Sequence, residues 1–484
     1  MRGPATAPRP RIAVVGAGIS GLAAAHRLRT LLGPGAQLTV LEQRHRIGGV
    51  LRTVELAGLP FDVGAEAYLA RRPELPGLLA ELGLSDAQVH PTAAAPSVRA
   101  AGRTVPLPGA TLLGVPTHRS RLDGLLSPAG VATVRAEPAR PLRWDAGDDV
   151  VLGELLRERF GDELADRLAD PLLGGVYAGR VDALGLRATV PALAAALDAG
   201  APSLTAAADA AVPAAPSPGP VFGAVHGGYQ RLLDALAGAA AAELRLGITV
   251  RELVRRPDGW RLTLGPHTAP ESLEVDAVLL AVPAPAVARL LAGVAPGPAA
   301  AAAEIELASS VVVALAYRAA DAATLPPTSG ALVAAGEPLA VKGVTHSSTK
   351  WAHLGGDGLV RLRASLGRFG EASALRVDDA DLVARVRADL ATLTGVTADP
   401  VAVRVQRWGG GLPQYARWHL SRVDRIEQPL PFGLAVAGAA LHGVGVPACV
   451  GTARAAAERL VGQLAGNAAR DGSMGPWPAS TTPS

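Results

Sequence analysis

The 484-residue chain has a single cysteine, Cys449, so no disulfide can form within it and a disulfide scaffold is excluded. Aromatic residues are scarce, at 3%. Charged residues reach only 18%, against about 25% in ordinary soluble proteins. Alanine, 56 glycines and 40 prolines fill the gap, and 49% of the chain is hydrophobic. With a net charge of +3, that composition excludes general disorder. Lysine is nearly absent. Of 46 basic residues only Lys342 and Lys350 are lysine, and the rest are arginine, a bias read as that of a GC-rich genome before it is read as function. The 46 basic and 43 acidic residues nearly balance and leave no nucleic-acid footprint. The ten histidines lack ligand spacing, so no metal site is expected.

No membrane-spanning or secretory segment is expected either. The N-terminus is proline-rich and lacks an apolar signal core. The longest charge-free run, residues 428–453, is long enough to cross a bilayer but carries Pro429, Pro431, Pro447 and several glycines. A strand, a turn and a buried helix start explain it better. The expected location is the cytoplasm, with peripheral membrane association left open.

At roughly 150 residues per domain, the length suggests two to four domains' worth of chain. Residues 11–15, Arg-Ile-Ala-Val-Val, read as a buried strand, 22–32 as a helix and 37–42 as a second strand. Helices are expected over 149–169, 229–242 and 378–393. Short strands near 248–250, 260–264 and 275–282 read as a return to a nucleotide-binding sheet, and 309–317 and 359–366 as further strands. Residues 199–220, rich in Ala, Pro and Ser, read as a linker, and the tail 467–484 as disordered.

Gly16, Gly18 and Gly21 form a G-x-G-x-x-G pattern between the first strand and helix. The first glycine permits the turn, the second lets backbone approach a pyrophosphate, and the third lets helix and strand pack closely. The phosphates would meet the helix N-terminus. An acidic residue about 20 positions on should meet a ribose, and Glu42 stands there at a strand end. Together these point to dinucleotide binding.

The neighbouring segments are more specific. Glu42-Gln43-Arg44-His45-Arg46-Ile47-Gly48-Gly49 and Phe61-Asp62-Val63-Gly64-Ala65-Glu66 resemble the extended fingerprint of FAD-dependent amine oxidases and their relatives. Further segments narrow it: Asp170-Pro-Leu-Leu-Gly174-Gly175-Val-Tyr177-Ala-Gly179, Lys350-Trp351, Arg407-Trp408, Leu412-Pro413-Gln414-Tyr415, and Gly438 through Gly443-Val-Gly445-Val446-Pro447-Ala-Cys449. Over about residues 11–465 the chain resembles the oxygen-dependent protoporphyrinogen/coproporphyrinogen oxidase family of the FAD amine-oxidase superfamily, nearest its bacterial coproporphyrinogen branch. The Pro-Gln-Tyr and Gly-Val-Gly-Val-Pro segments discriminate most.

The resemblance implies an α/β fold. A discontinuous Rossmann-like FAD-binding domain would comprise 10–70, 223–290 and 401–466. An α+β substrate-binding domain would comprise 71–110, 190–222 and 291–400, and a helical, membrane-facing cap would span 111–189. It also implies site residues. Gly16, Ala17, Gly18, Ile19, Ser20 and Gly21 would cradle the FAD pyrophosphate. Glu42 and Gln43 would serve the ribose end. Arg46, Gly48 and Gly49 would follow the phosphates, with Gly64, Ala65, Glu66 and Ala67 along the flavin. Val250 would meet adenine through its backbone, or be a plain core valine. Trp408, Gly438, Val446, Pro447 and Ala448 would border the isoalloxazine, Trp408 being otherwise a core residue. The FAD would be non-covalent, with Cys449 a buried spectator thiol.

The implied reaction is oxidation of coproporphyrinogen III to coproporphyrin III in heme biosynthesis, O2 accepting the electrons and H2O2 leaving. The flavin would carry the chemistry, so no catalytic side chain is named. Arg71 would fork a substrate propionate, or be a solvated surface arginine, and Gly175 and Val176 would supply a flat wall. A transient contact with a ferrochelatase is left open. Competing functions are protoporphyrinogen IX oxidation, another flavin amine oxidase or carotenoid desaturase, and a non-catalytic FAD- or tetrapyrrole-binding protein.

Overall fold

A computed structural model describes residues 9–213 and 219–470. The first strand, Arg11–Val15, is apolar and buried from Ile12 onward because it runs through the middle of a sheet covered on both faces. That sheet is five-stranded and parallel, in the order Glu243–Leu246, Gln37–Glu42, Arg11–Val15, Ala277–Leu280, Leu434–Val436. The helices Ile19–Leu32, Tyr229–Ala240 and Val446–Arg470 cover one face through Leu22, Leu28, Leu233, Leu236, Val450 and Leu460. On the other face lie the helices Ala284–Leu291, Pro296–Ala303 and His419–Glu427, with a separate antiparallel sheet of Val250–Arg256, Gly259–Leu264 and Glu271–Val275. The strands expected near 248–250 and 260–264 fall in this antiparallel sheet and not in the nucleotide sheet, whereas the one expected at 275–282 is Ala277–Leu280 of the nucleotide sheet. Alternation of buried and open positions along Gly259–Leu264 instead gives the one-sided burial of an antiparallel sheet.

A second, seven-stranded sheet runs Ala402–Pro413, Leu307–Arg318, Leu359–Leu366, Val341–Thr345, Gly330–Val333, Pro96–Ala100, Arg103–Pro106. Its Val311, Val313, Leu315, Leu362 and Ala364 pack on Leu382, Val386 and Leu390 of the helix Asp379–Thr394. The opposite face holds Val312, Ala314 and Trp408, against Phe61 and Val63. Strand Ala402–Pro413, expected to group with 10–70 and 223–290, instead belongs to this sheet, because its long pairing with Leu307–Arg318 fixes it there.

A third core gathers helices from residues 128–211. The helix expected over 149–169 breaks at Gly161, where φ is +84°, into Leu152–Phe160, Asp162–Leu164 and a π-helical turn Ala165–Ala169 that continues as Asp170–Tyr177. The expected linker contains a helix, Leu204–Ala211, and this helix and Pro191–Asp198 pack in the third core, not on the seven-stranded sheet. The start of Leu204–Ala211 is held locally by Ser203, whose hydroxyl accepts Ala206 N–H at 3.1 Å, and also from a distance. Buried Glu137, paired with Arg159 at 2.7 Å, accepts the N–H groups of Leu204 (2.9 Å) and Thr205 (3.1 Å) at the helix start. The C-terminal helix runs to Arg470, so 467–470 are helical where a tail was expected, and 471–484 lie outside the described residues. Among the described residues no helix is long and apolar enough to cross a membrane.

Candidate functional site

The glycine pattern folds as its spacing requires. Gly16 turns the chain with φ +103°, and its N–H donates to Leu41 O at 2.7 Å. A Cβ on Gly16 would overlap the Ala281 carbonyl, and one on Gly21 would overlap the Gly16 carbonyl oxygen. Gly18 is different: its nearest obstacle is the Gly49 Cα, 3.9 Å away. The helix Ile19–Leu32 starts there with no side-chain cap and no acid in its first turn. Its first intrahelical bond is Leu22 N–H to Gly18 O, so the Ile19, Ser20 and Gly21 amides point outward as donors. This bare, positively polarised backbone fits an anionic pyrophosphate.

Glu42 is buried at the end of Gln37–Glu42. Its carboxylate accepts from Ala17 N–H (2.9 Å) and Arg44 N–H (2.8 Å), so it also holds the glycine loop, a task the sequence did not disclose. A carboxylate has lone pairs left for a ribose hydroxyl. Gln43 is exposed beside it. Ile248 N–H donates to the Glu42 carbonyl at 2.9 Å, which brings the start of Val250–Arg256 to the same edge. Val250 itself is buried in the core, and its carbonyl already accepts from Arg289 Nη2 at 3.2 Å.

Gly48 docks on the loop through its N–H to Ala17 O, 2.8 Å, and Gly48 and Gly49 both have positive φ. A Cβ on Gly49 would come 3.3 Å from Gly18 Cα, so the two glycines face each other across bare backbone. Arg46 does not reach outward. Its guanidinium donates to the Ile47 (3.0 Å), Gly49 (2.7 Å) and Leu51 (3.3 Å) carbonyls and lies 5.9 Å over the Trp408 ring. Burial lowers its pKa. Trp408, buried, donates Nε1–H to Val63 O at 2.9 Å. The fingerprint and Trp408 are therefore one packed unit.

Segment 64–67 carries the densest polar cluster. A Cβ on Gly64 would overlap the Val50 carbonyl, so this backbone lies against the glycine turn. Ala65 and Ala67 flank Glu66, which takes the Trp351 indole N–H and faces Arg363 (3.6 Å) and Lys350 (3.9 Å). Arg363 also donates to Gly64 O at 2.7 Å. Asp62 accepts from Thr53 Oγ1 and from Tyr229 N–H at 3.2 Å, and burial pushes its carboxyl up to about 7. Sequence reasoning assigned no role to Asp62, Arg363 or the Tyr229 ring. Asp62 could have been flagged by its place in the fingerprint. Arg363 had no signal, being one arginine among many on a strand.

The two most discriminating segments meet. The Tyr415 hydroxyl donates to Ala439 O (2.6 Å) and accepts from Gly443 N–H (2.7 Å), while its ring stacks on His419 at 3.8 Å. Gln414 Nε2 donates to Tyr177 O at 2.8 Å. The Pro-Gln-Tyr segment thus joins Asp170–Tyr177 to the turn at 438–446. Gly438 (φ +129°) donates to Thr452 Oγ1 at 3.1 Å and lies near Ser20. Val446, Pro447 and Ala448 are buried at the start of Val446–Arg470. Cys449 is buried and its thiol is pushed up to about 11 by burial, which keeps it protonated and unreactive.

Arg71 is exposed and no bond ties it to the Glu66 cluster, whose own cations are Arg363 and Lys350. Gly175 and Val176 are exposed on one side of Asp170–Tyr177, and a Cβ on Gly175 would sit 3.7 Å from Leu332 of the seven-stranded sheet. Among the described residues no group of three or more His, Cys, Asp or Glu is placed to hold a metal ion.

Residues 19–461 match the flavin containing amine oxidoreductase model. The chain is 47% identical over 457 residues to the coproporphyrinogen III oxidase of Mycobacterium tuberculosis, covering 94% of this chain and 98% of the relative. It is 32% identical over 497 residues to that of Propionibacterium freudenreichii, covering 93% and 90%. A solved structure from Exiguobacterium superposes with a TM-score of 0.81 at 29% identity, covering 95% of this chain and all of that one.

Proposed function

This chain belongs to the flavin containing amine oxidoreductase family, and on that premise we propose that it oxidises coproporphyrinogen III to coproporphyrin III in heme biosynthesis. The observation that carries the substrate is the near-full-length likeness to coproporphyrinogen III oxidases. The junction of Tyr415 with the 438–446 turn supports it, because it joins the two segments that set this branch apart. O2 is the electron acceptor: the substrate loses six electrons and six protons, and three O2 become three H2O2.

FAD, held without a covalent bond, supplies the two-electron acceptor chemistry. Gly16 to Gly21 hold its pyrophosphate on the open N–H groups, Glu42 takes a ribose hydroxyl with Gln43 beside it, and Arg46 fixes the turn of Gly48 and Gly49 by binding its carbonyls. Val250 reaches the adenine end through its N–H. Residues 64–67, Trp408, Gly438 and 446–448 shut water out around the ring. We assign FAD binding to 10–70, 223–290 and the C-terminal part beyond 413, substrate binding to the seven-stranded sheet, and the cap to the helices of residues 111–211. Arg71 and the wall of Gly175 and Val176 serve the substrate. The enzyme so read works in the cytoplasm, with at most peripheral membrane contact and a transient contact with a ferrochelatase that takes the product.

The test is anaerobic mixing of the yellow holoprotein with coproporphyrinogen III and with protoporphyrinogen IX. Faster bleaching by coproporphyrinogen, with colour and H2O2 returning in air, is the expected result. Faster bleaching by protoporphyrinogen moves the substrate to that alternative. No bleaching by either leaves a binding protein without catalysis.

A further inference from the structure

In a chain that uses arginine almost everywhere, both lysines fall near one arginine, Arg363. Lys350 faces Glu66 and lies 4.9 Å over the Trp351 ring. Lys342, at a bulge in the strand Val341–Thr345, makes no hydrogen bond or ion pair among the described residues. The charged groups facing it are Arg368, Glu371 and Arg363. Glu371 is already paired with Arg180 and accepts the Arg368 N–H. Arg363 is engaged by Glu66 and the Gly64 carbonyl. Arg368 donates one Nη2 bond to Val333 O at 2.7 Å, and its Nε is buried without a partner. Positive charge is therefore in excess, with two donors open.

The surroundings point toward the substrate. The helix Asp170–Tyr177 lies across the strands Gly330–Val333 and Val341–Thr345. Leu332 sits 3.7 Å from a Cβ on Gly175 and 3.6 Å from one on Gly343, so Lys342 stands beside the Gly175–Val176 wall. Arg363 bridges from there to the flavin-side Gly64. Burial lowers the Lys342 ammonium to about 8, so it is still charged at neutral pH. A partly buried ammonium whose facing carboxylate, Glu371, is already paired with Arg180 gains when a ligand supplies a counter-charge.

We propose that the Lys342 ammonium, with Arg368 Nε, binds a substrate carboxylate, a propionate of the tetrapyrrole. This subsite rests on the porphyrinogen reading of the function. It explains a lysine here: a compact point-charge donor fits at a crowded bulge where a planar guanidinium fork would need more room.

The test uses the holoprotein and Lys342→Gln. Coproporphyrin III, with four carboxylates, and its tetramethyl ester, with none, are titrated by fluorescence, and KM and kcat are measured with coproporphyrinogen III. Lys342→Gln is expected to raise Kd for the acid and KM roughly tenfold or more, to leave the ester unchanged, and to lower kcat far less. FAD content should hold and Tm should stay level or rise, because an unpaired, partly buried charge has been removed from among like charges. Lys342→Arg should restore part of the affinity. Equal loss of acid and ester binding, or a fall in Tm and FAD content, overturns the proposal by making Lys342 structural. A wild type that binds and oxidises the substrate while Lys342→Gln matches it removes this subsite alone. A wild type that neither binds coproporphyrin III nor is reduced by coproporphyrinogen III removes the substrate reading itself.

Discussion

Gly18 and Gly21 lie three positions apart, yet an added methyl should act on different quantities. Gly18 has φ −71° and ψ −180°, open to any residue, and its Cβ would meet only Gly49 Cα at 3.9 Å. Gly18→Ala should therefore fit the flavin-free fold and stabilise it by up to about 0.4–1 kcal/mol through the unfolded chain. The methyl would then stand between Gly18 and Gly49, in the cradle. Losing a charge-assisted hydrogen bond is worth roughly 1.5–3 kcal/mol. At about 1.4 kcal/mol per decade, FAD affinity should fall roughly 10- to 100-fold. A Cβ on Gly21 would overlap the Gly16 carbonyl oxygen and lie 2.9 Å from its carbon. Helix and strand would have to separate. Overpacking of this kind costs about 1–3 kcal/mol, so Gly21→Ala should lower the Tm of flavin-stripped protein by several degrees. Scanning fluorimetry of stripped protein and flavin-quench titration read the two effects. Wild-type FAD affinity in Gly18→Ala would refute the cradle. An unchanged Tm in Gly21→Ala would refute the close approach.

Tyr415→Phe should lower both Tm and FAD affinity, because Ala439 O and Gly443 N–H lose their buried partner, at about 1–3 kcal/mol each; equal flavin Kd values would show that the hydroxyl does not hold the turn. Asp62, raised to about 7 from about 3.9 unfolded, favours the fold below pH ~4 and loses that contribution as pH rises toward 7. At about 1.4 kcal/mol per unit this approaches ~4 kcal/mol, so the stability gain of Asp62→Asn over wild type should grow from pH 5 to 8; a constant difference in Tm across that range would count against a neutral buried carboxyl.

The nucleotide end was legible because its signals are local. Gly16 and Gly21 are required by turn and packing within a few residues, and Glu42 is placed by the strand that follows one helix. The expected linker at 199–220 shows the limit of composition. Leu204–Ala211 carries a local start signal in Ser203, whose hydroxyl caps Ala206 N–H, but the grip of Glu137 on its first N–H groups comes from far back in the chain and no local pattern announces that. The strands near 248–250 and 260–264 were misplaced for a similar reason: their apolar spacing fitted a sheet, but which sheet depends on partners, and only the strand expected at 275–282 joins the nucleotide sheet. Arg46 was expected along the phosphates, but its guanidinium binds protein carbonyls, an outcome that spacing cannot distinguish from reaching outward.

The sequence by itself determined the βαβ unit, the dinucleotide loop and the family resemblance, since these depend on backbone conformation and on residues close in the chain. Only the tertiary structure decided that burial raises the Asp62 carboxyl to about 7, that Tyr415 clamps the 438–446 turn, and that the carboxylate facing Lys342 is taken by Arg180. Each of these is a matter of desolvation or of contact between segments far apart in sequence. The free energy of a charge or a hydrogen bond is set by what surrounds it, and that is fixed only when the chain has closed on itself.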